Sequence, residues 1–369
     1  MKNTLYLIGI VLICFSCSSD NGSDTNISNY DKQAMLINWA DNLIIPAFTD
    51  YQTKTEDLET KSSAFVNTPN TATLGELRTS WKMAYVTFQN IGIFDIGKAT
   101  DLHLIETANT YPTTTASIDA NIASGDYNLS AQTQFASQGF PALDYLLYGI
   151  GETDQEILAF YTTDTNADNY KQYITDLTAK LKSIAVSILA DWNNGYRTTY
   201  INNSNAVTGS LNQTANNFVE DFEKVIRAPK VGIPAGKFSN GALFPEKVEA
   251  YYNNTIGKSL LIESIDASLA FFEGKTYGTN ITGPSLKAYL NAVDAQASGL
   301  PLSTIITDQY DAILITCNLL SNSLSDQVTA DNSKMLTTYD ALQQNVVYLK
   351  VDMISALGLT IDYVDGDGD

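Results

Sequence analysis

The sequence contains one histidine, His103, in 369 residues, and this scarcity limits the chemistry that the chain can perform. A Ser-His-Asp or Cys-His catalytic arrangement would have to use that imidazole, and no Gly-x-Ser-x-Gly turn supplies a nucleophilic serine. The zinc motif His-Glu-x-x-His needs two histidines, and a phosphate-binding Gly-x-x-x-x-Gly-Lys-Ser/Thr loop is also absent. These absences count against the common hydrolase and nucleotide-binding classes.

Basic residues are also few, 21 against 41 acidic ones, which gives a formal net charge of −20. Such a charge repels nucleic acids and anionic lipid headgroups, so we expect neither as a partner. The acidic surface would attract cations loosely, although a solvated acidic surface is the more common meaning.

The N-terminal apolar run is too short to span a bilayer. Residues 1–16 carry Lys2 and then the apolar run Leu5–Phe15, which is typical of a secretory signal peptide. Cys17 follows in a setting that resembles a relaxed bacterial lipobox. We predict cleavage before Cys17 and lipidation of its thiol, which anchors a protein without a spanning helix. Residues 17–29 would then form the lipidated N-terminus and a flexible tether; a plain secreted protein is the alternative.

Only three cysteines are present, and they leave no pair for an intrachain disulfide. Cys14 leaves with the signal peptide, Cys17 would be lipidated, and Cys317 is then alone. Cys317 continues an apolar series at helical spacing, which predicts a buried thiol.

Apolar residues recur at spacings of three and four along nearly every long segment, and this predicts helices. Thr73-x-x-Glu76 predicts a capping box, and Pro46 should kink or interrupt the first helix. A later helix should run until Pro229, with an irregular loop over Arg227–Gly241. Further helices are expected near Pro245–Tyr252, Ser285–Ala297 and Leu302–Leu324. The clearest apolar face consists of Ile174, Leu177, Leu181, Ile184, Ile188 and Trp192.

The fold class that follows is all-α, with bundled antiparallel helices, because no alternation of strands and helices is seen. The polar stretch 193–210 suggests a domain boundary. We predict an N-terminal helical domain over residues 30–203, a C-terminal helical domain over 204–362 and an acidic tail over 363–369. The tail reads Asp-Gly-Asp-Gly-Asp, like the start of a calcium loop, but lacks the downstream glutamate and is expected to be solvated.

His103 and Glu106 form a His-x-x-Glu pair. On one side of a helix the two side chains could share a metal ion. A satisfied surface or interface contact is the more common role of such a pair, and both interpretations stay open.

The stretch Gly139–Gly149 places one carboxylate, Asp144, inside an apolar segment. Pro141 stands where the first turn of a helix tolerates proline. A buried carboxylate is costly without partners, so Asp144 needs an explanation.

This stretch resembles the imelysin family, also classified as M75 peptidases, which carries Gly-x-His-x-x-Glu at this position. Four other stretches are similar to the family in the same order: Leu77–Ile96 with Trp81 and Tyr85, the turn Asn109–Pro112, the loop Arg227–Lys237 and the final Gly358-Leu-Thr-Ile. The resemblance implies two helical-bundle domains related by duplication. It also implies a cell-envelope protein, often a lipoprotein, linked to iron regulation or uptake, with the motif near the domain junction.

Carried onto this chain, the motif keeps Gly139 but has Pro141 at the histidine and Asp144 at the glutamate. Proline has no ligand atom, which puts a metal site and a hydrolytic mechanism of the family's type in doubt. Iron or another divalent metal therefore stays an open candidate as cofactor. We expect Asp144 to cap or hydrogen-bond a neighbouring backbone, or to hydrogen-bond a tyrosine or an arginine across the junction. His103, Glu106 and Arg227 are candidate additional residues of the cleft.

The function that these observations favour is a non-catalytic, imelysin-like lipoprotein of the cell envelope, anchored to the outer membrane. It would bind a ligand at the interdomain cleft in iron or haem uptake, with iron, haem or another envelope protein as partner. Two alternatives stay open: a metallopeptidase of the M75 type, and a structural or adhesion lipoprotein of the cell surface.

Overall fold

The structure, a computed structural model, describes residues 30–203, here called the first half, and residues 209–363, the second half. The predicted signal peptide, the lipidation site Cys17 and the Asp-Gly-Asp-Gly-Asp tail lie outside the described residues. Helices make up nearly all the regular structure that is described, which confirms the all-α prediction. The proposed domain boundary and the duplication stay predictions.

The first half is helical throughout, with three π-helical and two short 3₁₀ segments. In chain order its elements are α1 (Lys32–Asn38), a π-helical segment (Trp39–Ile44), α2 (Ile45–Asn67), α3 (Thr71–Phe88), a 3₁₀ segment (Gly92–Phe94), α4 (Lys98–Asp101), α5 (Leu104–Asn109), α6 (Thr115–Ser124), a 3₁₀ segment (Gln132–Ser137), α7 (Gly139–Asp144), a π-helical segment (Tyr145–Gly149), α8 (Asp154–Thr162), α9 (Ala167–Asp191), a π-helical segment (Trp192–Tyr196) and α10 (Arg197–Asn202).

The second half adds one two-residue β-hairpin to its helices. Its elements are α11 (Ser210–Glu220), a π-helical segment (Asp221–Gly232), a 3₁₀ segment (Pro245–Lys247), α12 (Gly257–Glu273), α13 (Leu286–Ala292), the antiparallel strands β1 (Gln296–Ala297) and β2 (Leu300–Pro301), α14 (Leu302–Asn318), α15 (Leu324–Ala330), α16 (Asn332–Val347), a π-helical segment (Tyr348–Met353) and α17 (Ile354–Ala356).

Each half is organised around long helices that bury one apolar face. In the first half α2 packs against α3 and α9, and in the second half α16 packs against α14 and the π-helical segment Asp221–Gly232. The predicted apolar face of α9 is confirmed, since each of its six residues is at most 3% exposed. Cys317 is also completely buried, as its spacing predicts. Helix α12 contacts α3, which joins the two halves.

Two predicted details of helix ends are different in the structure. The capping box of α3 uses Asn70 and Thr73 rather than Thr73 and Glu76, because Asn70 accepts from the Thr73 amide at 3.1 Å and Thr73 Oγ1 accepts from the Asn70 amide at 3.2 Å. Asparagine is among the best N-cap residues, so the helix begins three residues earlier. Pro46 lies in the first turn of α2, and the interruption before it is the π-helical segment Trp39–Ile44.

The predicted helix end at Pro229 is wrong. Helical hydrogen bonding continues to Gly232, and the Ile233 amide donates to the Ala228 carbonyl at 2.8 Å, five residues back. A π-helical turn has this wider hydrogen-bond spacing, and it accommodates a proline that the narrower α-helical turn would reject. Residues 227–232 are therefore helical and not part of the predicted loop, whereas residues 233–241 form turns.

The predicted helix near Pro245–Tyr252 is also wrong. A single 3₁₀ turn ends at Lys247, and Ala250 and Asn254 both have a positive φ, which breaks helical hydrogen bonding. The helix expected over Ser285–Ala297 ends at Ala292, where the chain enters the β-hairpin.

The helix expected over Leu302–Leu324 is divided between α14 and α15. In the described part of the chain no helix combines the length and the apolar character needed to cross a membrane.

Candidate functional site

Helix α7 ends at the buried Asp144, and Gly139 at its start makes the position of this helix possible. Gly139 has φ of +73°, and a Cβ there would lie 2.3 Å from the carbonyl oxygen of Ala108. Only glycine tolerates both the left-handed backbone and this close approach to α5. The six residues of α7 are all buried, Asp144 being 2% exposed.

The carboxylate of Asp144 holds a turn that lies more than a hundred residues further along the chain. Its Oδ2 accepts from the backbone amide of Tyr252 at 2.8 Å and its Oδ1 accepts from that of Asn253 at 2.9 Å. Both amides belong to the irregular turn between the positive-φ residues Ala250 and Asn254. Asp144 thus hydrogen-bonds a backbone, as expected, and that backbone belongs to the second half of the chain.

Burial controls the protonation of Asp144. Loss of solvent around the carboxyl group raises its pKa from 3.8 to about 7, and the hydrogen bonds from the Tyr252 and Asn253 amides oppose that rise. The group therefore titrates close to neutral pH.

A small cavity opens beside Asp144, and we call it the junction cavity. It has a volume of about 160 Å³ and takes its walls from both halves. The hydroxyl of Tyr111 is buried and has no hydrogen-bond partner among the described residues, while burial and the charge of Glu249 raise its pKa. The lining of the junction cavity includes Tyr111, Pro141, Asp144, Glu246, Tyr251 and Tyr252.

Next to this cavity lies a buried ion pair between Lys230 and Glu249, each 1% exposed. Glu249 also accepts from Asn109 Nδ2 at 2.7 Å, and Lys230 donates to Gln89 Oε1 at 2.8 Å. Tyr85 donates to Asn109 at 2.5 Å, which fixes the amide orientation. Such partners offset the cost of burying two charges, and here they join the halves.

Sequence reasoning missed the Lys230–Glu249 pair. Lys230 falls in the stretch predicted to be an irregular loop, and Glu249 falls in the stretch predicted to be a helix. Neither residue has a local pattern that indicates burial. The family-like loop Arg227–Lys237 was the one available signal, and it contains Lys230.

The additional cleft candidates lie elsewhere in the described structure, and none of them lines the junction cavity. His103 precedes α5 with φ of +51°, so the helical spacing that would pair it with Glu106 does not apply. Its ring packs against Phe135. Glu106 lines a separate acidic cavity.

Arg227 is 1% exposed and contacts residues of the second half. It lies 3.5 Å from the Glu223 carboxylate and donates to the Tyr339 hydroxyl at 2.9 Å. A ligand-binding role for His103, Glu106 or Arg227 stays a prediction.

The residues at the family motif do not fit the metal site that the resemblance implies. Pro141 is buried and offers no donor atom, and each oxygen of Asp144 already accepts a backbone amide. Across residues 30–203 and 209–363, no group of three or more His, Cys, Asp and Glu side chains is arranged to hold a metal ion. The motif thus provides the Asp144 carboxylate, which holds the turn at Tyr252 and Asn253, and it lies beside a cavity lined by oxygen donors.

Comparison with known proteins agrees with the resemblance. A family model described as Imelysin, of the M75 peptidases, matches residues 44–352. A search of curated proteins found no match.

Two solved structures share the fold. An imelysin-like protein from Psychrobacter arcticum 273-4 superimposes with a TM-score of 0.66 at 17% identity, covering 90% of this chain and 97% of the other. A protein from Parabacteroides distasonis ATCC 8503, described as an iron-regulated protein A precursor, gives a TM-score of 0.68 at 15% identity, covering 88% of this chain and 95% of the other.

Proposed function

The chain belongs to the imelysin family, and from this premise we propose that it is a non-catalytic lipoprotein of the cell envelope that binds a ligand between its two halves and serves iron or haem uptake. The lipid anchor at Cys17 and attachment to the outer membrane are parts of this proposal. The description of the Parabacteroides distasonis neighbour as an iron-regulated protein supports the link to iron.

The observation that carries the proposal is the unpartnered hydroxyl of Tyr111 beside the junction cavity. Buried polar groups in proteins are almost always hydrogen-bonded, so a buried phenol at a cavity wall suggests a ligand. Tyrosine and carboxylate oxygens are hard donors, and ferric iron is a hard acid. Tyr111 and Glu246 supply such oxygens from the two halves, and Asp144 holds the Tyr252–Asn253 turn beside them.

The size of the junction cavity favours a small ligand. A volume of about 160 Å³ corresponds to roughly five water molecules at ~30 Å³ each. Pockets for drug-sized ligands are roughly 300–1,000 Å³, so a haem macrocycle would require the halves to separate. Ferric iron or a small iron chelate fits the cavity as it stands.

Titration of the purified mature protein with ferric citrate tests the proposal. Binding is measured by isothermal titration calorimetry and by the visible absorption of an iron–phenolate bond. We expect binding that Tyr111→Phe and Asp144→Ala each weaken at least tenfold. Tyr348→Phe is the matched control, because Tyr348 lines none of the cavities described here.

Three results would contradict the proposal. The first is an absence of binding with both ferric citrate and hemin, and the second is equal binding by wild type and Tyr111→Phe. The third is cleavage of unfolded protein substrates that a metal chelator abolishes, which would identify a metallopeptidase.

A further inference from the structure

A second cavity, which we call the acidic cavity, lies between the halves and shares no lining residue with the junction cavity. Its volume is about 200 Å³. The first half contributes the 3₁₀ segment Gly92–Phe94 and helix α5, and the second half contributes α11 and the start of the π-helical segment Asp221–Gly232. Four carboxylates line it: Asp95, Glu106, Glu220 and Asp221.

Asp221 is the most enclosed of the four. It is 8% exposed, and the influences on its pKa are burial and neighbouring charges, with no hydrogen bond from a described residue among them. Its Oδ1 lies 2.8 Å from the place where a Cβ on Gly92 would be, so the absence of a side chain at Gly92 makes room for it. Burial raises the pKa of Asp221 to about 7, with Asp95 and Glu220 adding to the rise and Lys230 opposing it.

Asp95 enters the same cavity from the first half. Its Oδ1 is buried and has no hydrogen-bond partner within the described part of the chain. Burial and the neighbouring Glu106 raise the pKa of Asp95 to about 6, while His103 opposes the rise. Two carboxyl groups thus line one cavity from opposite halves, and Asp95 Oδ1 has no donor; protonation or a bound cation would compensate this arrangement.

Positive charge from the protein supplies only part of that compensation. Lys224 lines the cavity, but its ammonium group donates to Glu220 at 2.8 Å. Lys230 is engaged by Glu249 and Gln89. The carboxylates of Asp95 and Asp221 therefore keep their capacity to accept.

We propose that the acidic cavity binds a hydrated, oxygen-preferring divalent cation, held by Asp95 and Asp221 with Glu106 at its mouth. Magnesium-like cations use one or two carboxylates and keep several waters. This coordination agrees with the lack of a three-residue ligand group in the described structure. A volume of about 200 Å³ has room for the ion with roughly five first-shell waters at ~30 Å³ each. The cation would bridge the two halves.

Manganese(II) is the probe that tests this site, added to purified mature protein from which metals have been removed with a chelator. Electron paramagnetic resonance measures the bound Mn²⁺, and thermal unfolding measures the change in Tm. We expect one bound Mn²⁺ per chain, a higher Tm with Mn²⁺, and competition by Mg²⁺ and Ca²⁺. Asp95→Asn and Asp221→Asn should each weaken binding at least tenfold and abolish the rise in Tm. Asp168→Asn is the matched control, since the Asp168 side chain is 98% exposed.

Further variants keep the test decisive. If Asp221→Asn fails to fold, the exposed Glu106→Gln should still weaken Mn²⁺ binding severalfold. Tyr111→Phe should leave Mn²⁺ binding unchanged, which separates this site from the proposed iron site. Undiminished binding in Asp95→Asn would overturn the proposal, because the ion would then sit on the general acidic surface. The proposal would also be overturned if none of the three cations showed saturable binding at millimolar concentration.

Discussion

Replacement of Asp144 by asparagine removes the ionisable group of α7 while it keeps the size of the side chain. The unfolded chain should have the ordinary Asp pKa of 3.8, whereas the folded protein raises it to about 7. The folded state thus holds the proton more tightly. The resulting stabilisation is fully present below pH 3.8 and is lost as the pH rises through 7.

The magnitude follows from linkage. Each pH unit over which only the folded state keeps the proton is worth about 1.4 kcal/mol. Between pH 5 and the folded-state pKa of about 7, the free energy of unfolding should therefore fall by about 3 kcal/mol through Asp144. The Asp144→Asn variant lacks this contribution, so its stability should depend less on pH by that amount.

Urea unfolding of the mature protein at pH 5 and pH 8, followed by circular dichroism, measures the difference. Asp221 and Asp95 also titrate in this range, but they do so in both proteins and cancel in the comparison. Asp168→Asn serves as the control and should follow the wild type. An equal change in unfolding free energy for wild type and Asp144→Asn would refute the reasoning.

Three further predictions concern packing and burial. Gly139→Ala should destabilise the protein by about 2–4 kcal/mol in thermal unfolding. Gly75→Ala is the control: a Cβ there meets open space in α3, so the change should stabilise the protein by up to about 1 kcal/mol. Equal effects of the two changes would contradict the close approach at Gly139. Cys317 should resist a thiol reagent until urea is added, because burial raises its pKa to about 12; fast labelling of the native protein would count against that burial. Lys230→Met should cost about 3–5 kcal/mol in urea unfolding because it leaves Glu249 buried without a cation, and the double variant with Glu249→Gln should recover part of that loss.

The local features of this protein could be predicted from its sequence because they arise from neighbouring residues. The face of α9 is a matter of spacing along one helix, and the burial of Cys317 follows from the same periodicity. The family resemblance located the structurally important stretch at Gly139 and Asp144. Local patterns failed at Pro229 and over Pro245–Tyr252, where a π-helical segment and positive-φ turns replace the expected elements.

The partners of the buried charges were decided by the tertiary structure alone. Asp144 accepts amides 108 and 109 residues away, and Glu249 accepts from Asn109 across 140 residues. Asp95 and Asp221 come to one cavity from opposite halves. Periodicity identifies which residues share a helix face, but it carries no information about which distant backbone or charge that face will meet. The sequence by itself determined the all-α class and most of the long helices and pointed to Asp144, whereas the packing of one half against the other determined what Asp144 holds and where the two cavities lie.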